Sequence, residues 1–146
     1  MTELPPVRRC VSALLLTSEN KLVIQLRDDK PGLPFPAHWA TLGGAIEHGE
    51  SPDEAMRREL LEEIAPAPPV TFWRFVEHHF ALNGKQHTVE NYVYVGQLPC
   101  AIEDIQLFEG QQLAAFNSAE IKQIPIAYGL ETVLAAFFDE YQTMSR

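Results

Sequence analysis

The stretch from Gly43 to Pro66, GGAIEHGESPDEAMRRELLEEIAP, constrains the fold more than any other part of the chain. Ser51, Pro52, Asp53 and Glu54 form a capping box with proline at the first helical position, so a helix is predicted to begin at Pro52. Residues 55–64 contain no glycine, proline or asparagine, and Ala65-Pro66 followed by Pro68-Pro69 forbids continuation, leaving about three and a half turns. Helical spacing gathers Met56, Leu60 and Ile64 into an apolar stripe and sets Glu59, Glu62 and Glu63 on a neighbouring face, looking into an adjacent cleft. Carboxylates at i, i+3 and i+4 repel one another unless a cation sits among them, and hard oxygen donors favour magnesium, manganese or calcium over zinc. A solvated acidic face is the competing reading of such a triplet taken alone.

The wider pattern favours the cation. Gly44, five residues, Glu50, seven residues and then Arg58-Glu59-Leu60-Leu61-Glu62-Glu63 resembles the signature of the Nudix hydrolase family in order and spacing. With each identity at about 1 in 15, such a match arises by chance on the order of once in 10⁷ windows. The family pattern closes with glycine and an apolar residue, where this chain has Ala65 and Pro66, a departure that bears on the helix exit more than on the chemistry. The resemblance implies an α/β fold, a Nudix-like three-layer α/β/α sandwich with a mixed sheet. It also implies metal-dependent hydrolysis of the diphosphate linkage in a nucleoside diphosphate joined to another moiety, of nucleotide-sugar or nucleoside-triphosphate type. Mg²⁺ is the expected cofactor, with Mn²⁺ as a substitute. By the same resemblance the metal ligands are Glu59, Glu62, Glu63 and the Gly43 carbonyl, Arg58 orients a glutamate, and Glu50 supports the metal or water chemistry; the competing reading of Glu50 is charge complementing the helix N-terminus. The alternative within the family is a sensor domain that binds a nucleotide or sugar nucleotide without cleaving it. Isomerisation of an isoprenoid diphosphate would need a cysteine near the cleft, and neither Cys10 nor Cys100 lies in a motif suited to it.

At 146 residues and 46% hydrophobic composition, the chain is expected to form one domain, residues 1–146, with a real core. The two cysteines are far apart and lack ligand-like spacing, which points to a reducing compartment. The apolar run after Arg8-Arg9 ends by Leu16, too short for a membrane span and without a cleavage-site pattern, so a cytoplasmic location is expected. A formal charge of -9 argues against general nucleic-acid binding. The expected partner is a small nucleoside diphosphate derivative, whose charge conflicts with that of the protein unless metal neutralises both. Homodimerisation through the aromatic-rich hairpin or the loop surfaces is compatible with the sequence.

Residues 9–16 and 21–27 are predicted to form a hairpin, and residues 28–38, DDKPGLPFPAH, a surface loop. Arg27, at the strand end, is a candidate phosphate contact by the resemblance; Phe35 and Trp39 are candidates for stacking on a base, against the alternative that they pack the sheet edge. Residues 39–42 are expected as a short strand running into Gly43-Gly44. Residues 70–82 and 86–98 form a long predicted hairpin turning at Asn83-Gly84, its aromatics mostly core and its His78, His79 and His87 structural. An irregular connection over 98–108 leads to Glu109-Gly110-Gln111 before a strand at 113–116. By the resemblance, Glu109 is a candidate further metal ligand or base, with Glu103, Asp104 and Glu90 as rivals. Asn117-Ser118 caps a short helix, and a packing helix is expected from about Ala127 to Tyr141.

Overall fold

The computed structural model describes residues 4–141. The apolar run at its start becomes β1 (Val7–Leu16), whose alternate residues serve opposite layers: Val11, Ala13 and Leu15 enter one core cluster, Leu14 and Leu16 the other. A strand buried on both faces needs no polar alternation, which is why residues 10–16 read CVSALLL. β1 turns into the antiparallel β2 (Leu22–Leu26), with Leu16 opposite Leu22. Past the irregular loop 28–38, the expected strand at 39–42 divides in two. β3 (Trp39–Ala40) pairs with β2 and β4 (Leu42–Ala45) with β1. The backbone changes partner at Thr41, whose hydroxyl hydrogen-bonds that of Ser12 at 2.8 Å.

α1 spans Pro52–Glu63 with the predicted capping box complete: Glu54 N–H donates to Ser51 Oγ and Ser51 N–H to Glu54 Oε1. Its exit differs from a glycine-terminated helix. Ile64 takes an extended conformation and, with Ala65, forms β5 (Ile64–Ala65), where the prolines that follow would leave a helix without donors. The hairpin arms are β6 (Thr71–Leu82) and β7 (Lys85–Gln97), with Asn83 and Gly84 both at positive φ, as a two-residue type I′ turn requires. Of its aromatics, Phe72 and Phe75 are exposed rather than core. The connection expected to be irregular contains a 3-10 turn at Ile102–Asp104 and β8 (Gln106–Leu107), which pairs with β5. β9 (Gln112–Phe116) then runs antiparallel to β2. The large sheet is mixed, because β7 lies parallel to β1 from Val7 opposite Thr88 to Leu16 opposite Gln97.

Asn117 caps α2 (Ser118–Ile121) through a second box with Glu120. The helix expected from Ala127 starts later, as α3 (Glu131–Ala136), and runs into a π-helical turn at Phe137–Tyr141. Tyr128 and Gly129 both have positive φ, which a right-handed helix cannot contain. α1 covers one face of the sheet through Ala55, Met56 and Leu60; Val133, Leu134 and Phe137 cover the other, packed on Leu14, Ile24 and Val93. The expected α/β/α sandwich results. Among the described residues, no helix is long and apolar enough to cross a membrane.

Candidate active site

The site begins where β4 meets α1. Gly43 has φ +136, and a Cβ there would sit 2.0 Å from the Val11 carbonyl oxygen. At Gly44 a Cβ would lie 2.6 Å from Glu59 Oε1. The paired glycines thus let the carboxylates of α1 close on the backbone of β4. Gly43 N–H donates to Glu63 Oε1 at 2.8 Å, and Glu63 is only 3% exposed. Burial pushes the Glu63 carboxyl up to about 9; the Gly43 N–H opposes the shift, and the charges of Glu59, Glu109 and Glu62 add to it. Burial also raises Glu59, against the pull of Arg58.

Arg58 organises the other carboxylates. Its Nε and one terminal nitrogen donate to the two oxygens of Glu50 at 2.5 and 2.9 Å, a bidentate arrangement. That same terminal nitrogen also donates to the Ala45 carbonyl at 3.1 Å, and the other donates to Glu59 at 3.0 Å and Glu62 at 2.9 Å. Arg58 holds the Glu50 carboxyl down at about 2, helped by the Glu47 N–H. Of the two glutamates four residues from Arg58 on the helix, Glu62 is engaged, while Glu54 serves the capping box. Glu62 is the most exposed of the three predicted ligands on α1. Among the described residues, no group of three or more histidine, cysteine, aspartate or glutamate side chains is arranged to enclose a metal, and the Arg58 guanidinium holds Glu59 and Glu62.

Glu109 arrives from the opposite wall, on a loop stapled to its surroundings. Phe108 N–H donates to the Glu63 carbonyl, Gln111 N–H to that of Leu26, and Gln25 Nε2 to that of Glu109 at 2.5 Å. A cavity of about 160 Å³ is lined by Gly43, Gly44, Glu63 and Glu109 together with Arg8, Arg27 and Tyr128. Arg27 donates twice to the Pro34 carbonyl, at 2.8 and 3.1 Å, and its guanidinium lies 5.0 Å from the centre of the Tyr128 ring; that of Arg8 lies 5.1 Å from it. Phe35 and Trp39 do not line this cavity. Trp39 is buried edge-on against Phe116, and Phe35 packs on Phe80 and Tyr128, so apolar contact claims both rings. Glu90, Glu103 and Asp104 lie outside its lining as well.

Tyr128, Asn91 and His78 are among the lining residues that escaped the sequence reading or received another role in it, the last expected to be structural. The Asn83-Gly84 turn holds the signal that finds two of them. It sets the hairpin register, which places His78 opposite Val89 and diagonal to Asn91, two polar side chains at buried positions of one face.

Residues 6–137 match the NUDIX domain. The chain belongs to the Nudix family. Over 71 residues it is 37% identical to nucleoside triphosphatase NudI of Escherichia coli, a match covering 47% of this chain and 49% of that protein. Over 62 residues it is 40% identical to the RNA pyrophosphohydrolase of Gluconacetobacter diazotrophicus, covering 40% of this chain and 37% of the relative. The matched stretch therefore spans no more than about half the length of these curated relatives. The crystal structure of a MutT protein from Methanosarcina mazei shares the fold, with a TM-score of 0.71 at 18% identity over 99% of both chains. In this Nudix chain the signature stretch is the segment that carries Gly44, Glu50 and the α1 carboxylates, and the departure at Ala65-Pro66 coincides with β5.

Proposed function

We propose that the chain is a divalent-metal-dependent pyrophosphohydrolase that cleaves a phosphoric anhydride in a nucleoside triphosphate or another nucleoside diphosphate derivative. One observation carries this reading: Glu63 from α1 and Glu109 from the loop before β9 line the same cavity as Gly43 and Arg27. The donor chemistry fits a hard cation, since carboxylate oxygens of Glu59, Glu62, Glu63 and Glu109 and the Gly43 carbonyl are the ligands that Mg²⁺ and Mn²⁺ accept. Glu59 and Glu63 are each raised in part by neighbouring carboxylates, a crowding that a divalent cation relieves. Once bound, such a cation neutralises phosphate oxygens and lowers the pKa of an attacking water. Arg58 is a positioning residue, holding Glu59 and Glu62 in place and being held in turn by Glu50. Arg27, anchored on the Pro34 carbonyl, is suited to contact a phosphate of the substrate. The activities named for the relatives, RNA pyrophosphohydrolase and nucleoside triphosphatase, support an anhydride substrate of this type.

The test is phosphate and pyrophosphate release from a panel of nucleoside triphosphates and sugar nucleotides, with Mg²⁺, with Mn²⁺ and with a chelator. Activity is expected with metal and none with chelator, and Glu63→Gln or Glu62→Gln should lower turnover by roughly a hundredfold or more while the fold is retained. Unchanged turnover in Glu63→Gln at saturating Mg²⁺ would remove the metal-site assignment.

A further inference from the structure

Asn91 lines the cavity, is 1% exposed, and its Oδ1 has no hydrogen-bond partner. The orientation of its amide follows from its neighbours. His78 Nδ1 lies 3.0 Å from the Tyr128 carbonyl oxygen, which can only accept, so Nδ1 carries the proton. Burial lowers the His78 pKa to about 4, so the ring is neutral at pH 7 and its Nε2 is an acceptor. The Asn91 atom 3.1 Å from Nε2 must therefore be the amide nitrogen. Each link of the chain donates toward Tyr128, and the carbonyl oxygen of Asn91, a residue that lines the cavity, is left as a fixed, buried acceptor without a partner.

A buried acceptor without a partner costs free energy that a ligand donor recovers. Its surroundings select the donor. Cys10 stands opposite Asn91 across the sheet and Val89 precedes it on the same face, and both line the cavity with Tyr128 and Leu130. These apolar walls suit a flat heteroaromatic ring better than a sugar. An imino N–H of uracil or hypoxanthine would bring a ring carbonyl alongside, where Val89 has no donor to offer and Cys10 only a weak one. Burial raises the thiol pKa of Cys10 and so keeps it neutral.

We propose that Asn91 is a specificity residue whose Oδ1 accepts a hydrogen bond from the exocyclic amino group of the substrate's nucleobase, oriented for that task by His78 and the Tyr128 carbonyl. This rests on the reading of the cavity as a nucleotide site. It predicts preference for amino-bearing bases over counterparts that carry an oxo group or hydrogen in place of the amino group.

Calorimetric titration of the full chain, in Mg²⁺, with AMP against IMP, GMP against IMP and CMP against UMP tests it. The amino member of at least one pair is expected to bind roughly tenfold tighter, and Asn91→Leu to close that gap by weakening the amino member alone. Should Asn91→Leu lose its far-UV circular dichroism, Asn91→Ala takes its place. No gap in any pair for the wild type, or a gap that survives the substitution, overturns the proposal. Turnover of ATP, ITP, GTP, CTP and UTP separates it from the hydrolase reading. Hydrolysis without base discrimination sinks this inference alone, whereas discrimination in binding that depends on Asn91, with no turnover, leaves it standing and sinks the hydrolase.

Discussion

Glu63 combines two properties that rarely coexist in a side chain: it is buried beside other carboxylates, and its one backbone partner is a single N–H. With its pKa raised to about 9, the side chain retains its proton at pH 7 in the metal-free protein. A metal ligand must be deprotonated, so binding of Mg²⁺ or Mn²⁺ through Glu63 displaces that proton. The sign is therefore set: below about pH 9, apparent metal affinity rises with pH by up to about tenfold per unit, and it flattens above. Titration of metal at pH 7 in two buffers of different ionisation enthalpy should report release of close to one proton, and Glu63→Gln should abolish it. Metal binding with no proton release in the wild type would show that Glu63 does not ligate.

At the scale of elements, α1 owes its entry to local chemistry. Ser51 caps the helix and Glu54 returns the bond, so Ser51→Ala should lower stability by about 1 kcal/mol in denaturant unfolding, with the urea slope unchanged. A loss within error would mean that packing of Met56 and Leu60 alone sets the helix start. Because such signals lie within four residues of one another, α1, α2 and the hairpin turn at Asn83-Gly84 were legible in the sequence. The elements that were not legible depend on distant partners. β5 and β8 exist only through each other, two residues against two residues, with residues 66–105 between them. The start of α3 is delayed by Tyr128, a non-glycine residue at positive φ, whose carbonyl is claimed by His78 fifty residues earlier. The site divides along the same line. Glu59, Glu62, Glu63 and Arg58 share one helix and a readable spacing, while Asn91 and Arg8 acquire meaning only when β7 is laid parallel to β1.

On the whole molecule, His78 ties three regions together: it sits on β6, receives the Asn91 amide from β7, and donates to the segment that precedes α3. Its burial in that junction makes the stability of the fold depend on pH in a predictable direction. In the unfolded chain the imidazole has an ordinary pKa of about 6.5, whereas burial lowers it to about 4 in the fold. Between those values the unfolded state binds more protons than the folded one, so this contribution is fully present above about pH 6.5 and is lost as pH falls through 4. Its full size is on the order of 3 kcal/mol. Urea unfolding measured from pH 7 to pH 4 contains that loss together with the linkage of the other titrating groups. Other groups titrate in the same window, Glu63 above all, whose raised pKa makes stability rise rather than fall as pH drops toward its unfolded value, so the contribution of His78 is isolated by difference. His78→Gln keeps a side chain able to donate and accept but cannot take up the proton, and its stability should fall less steeply than that of the wild type below pH 6.5. Equal slopes in the two proteins would mean that the junction opens to water before His78 is protonated, and that β6, β7 and the C-terminal segment are not held together through this ring.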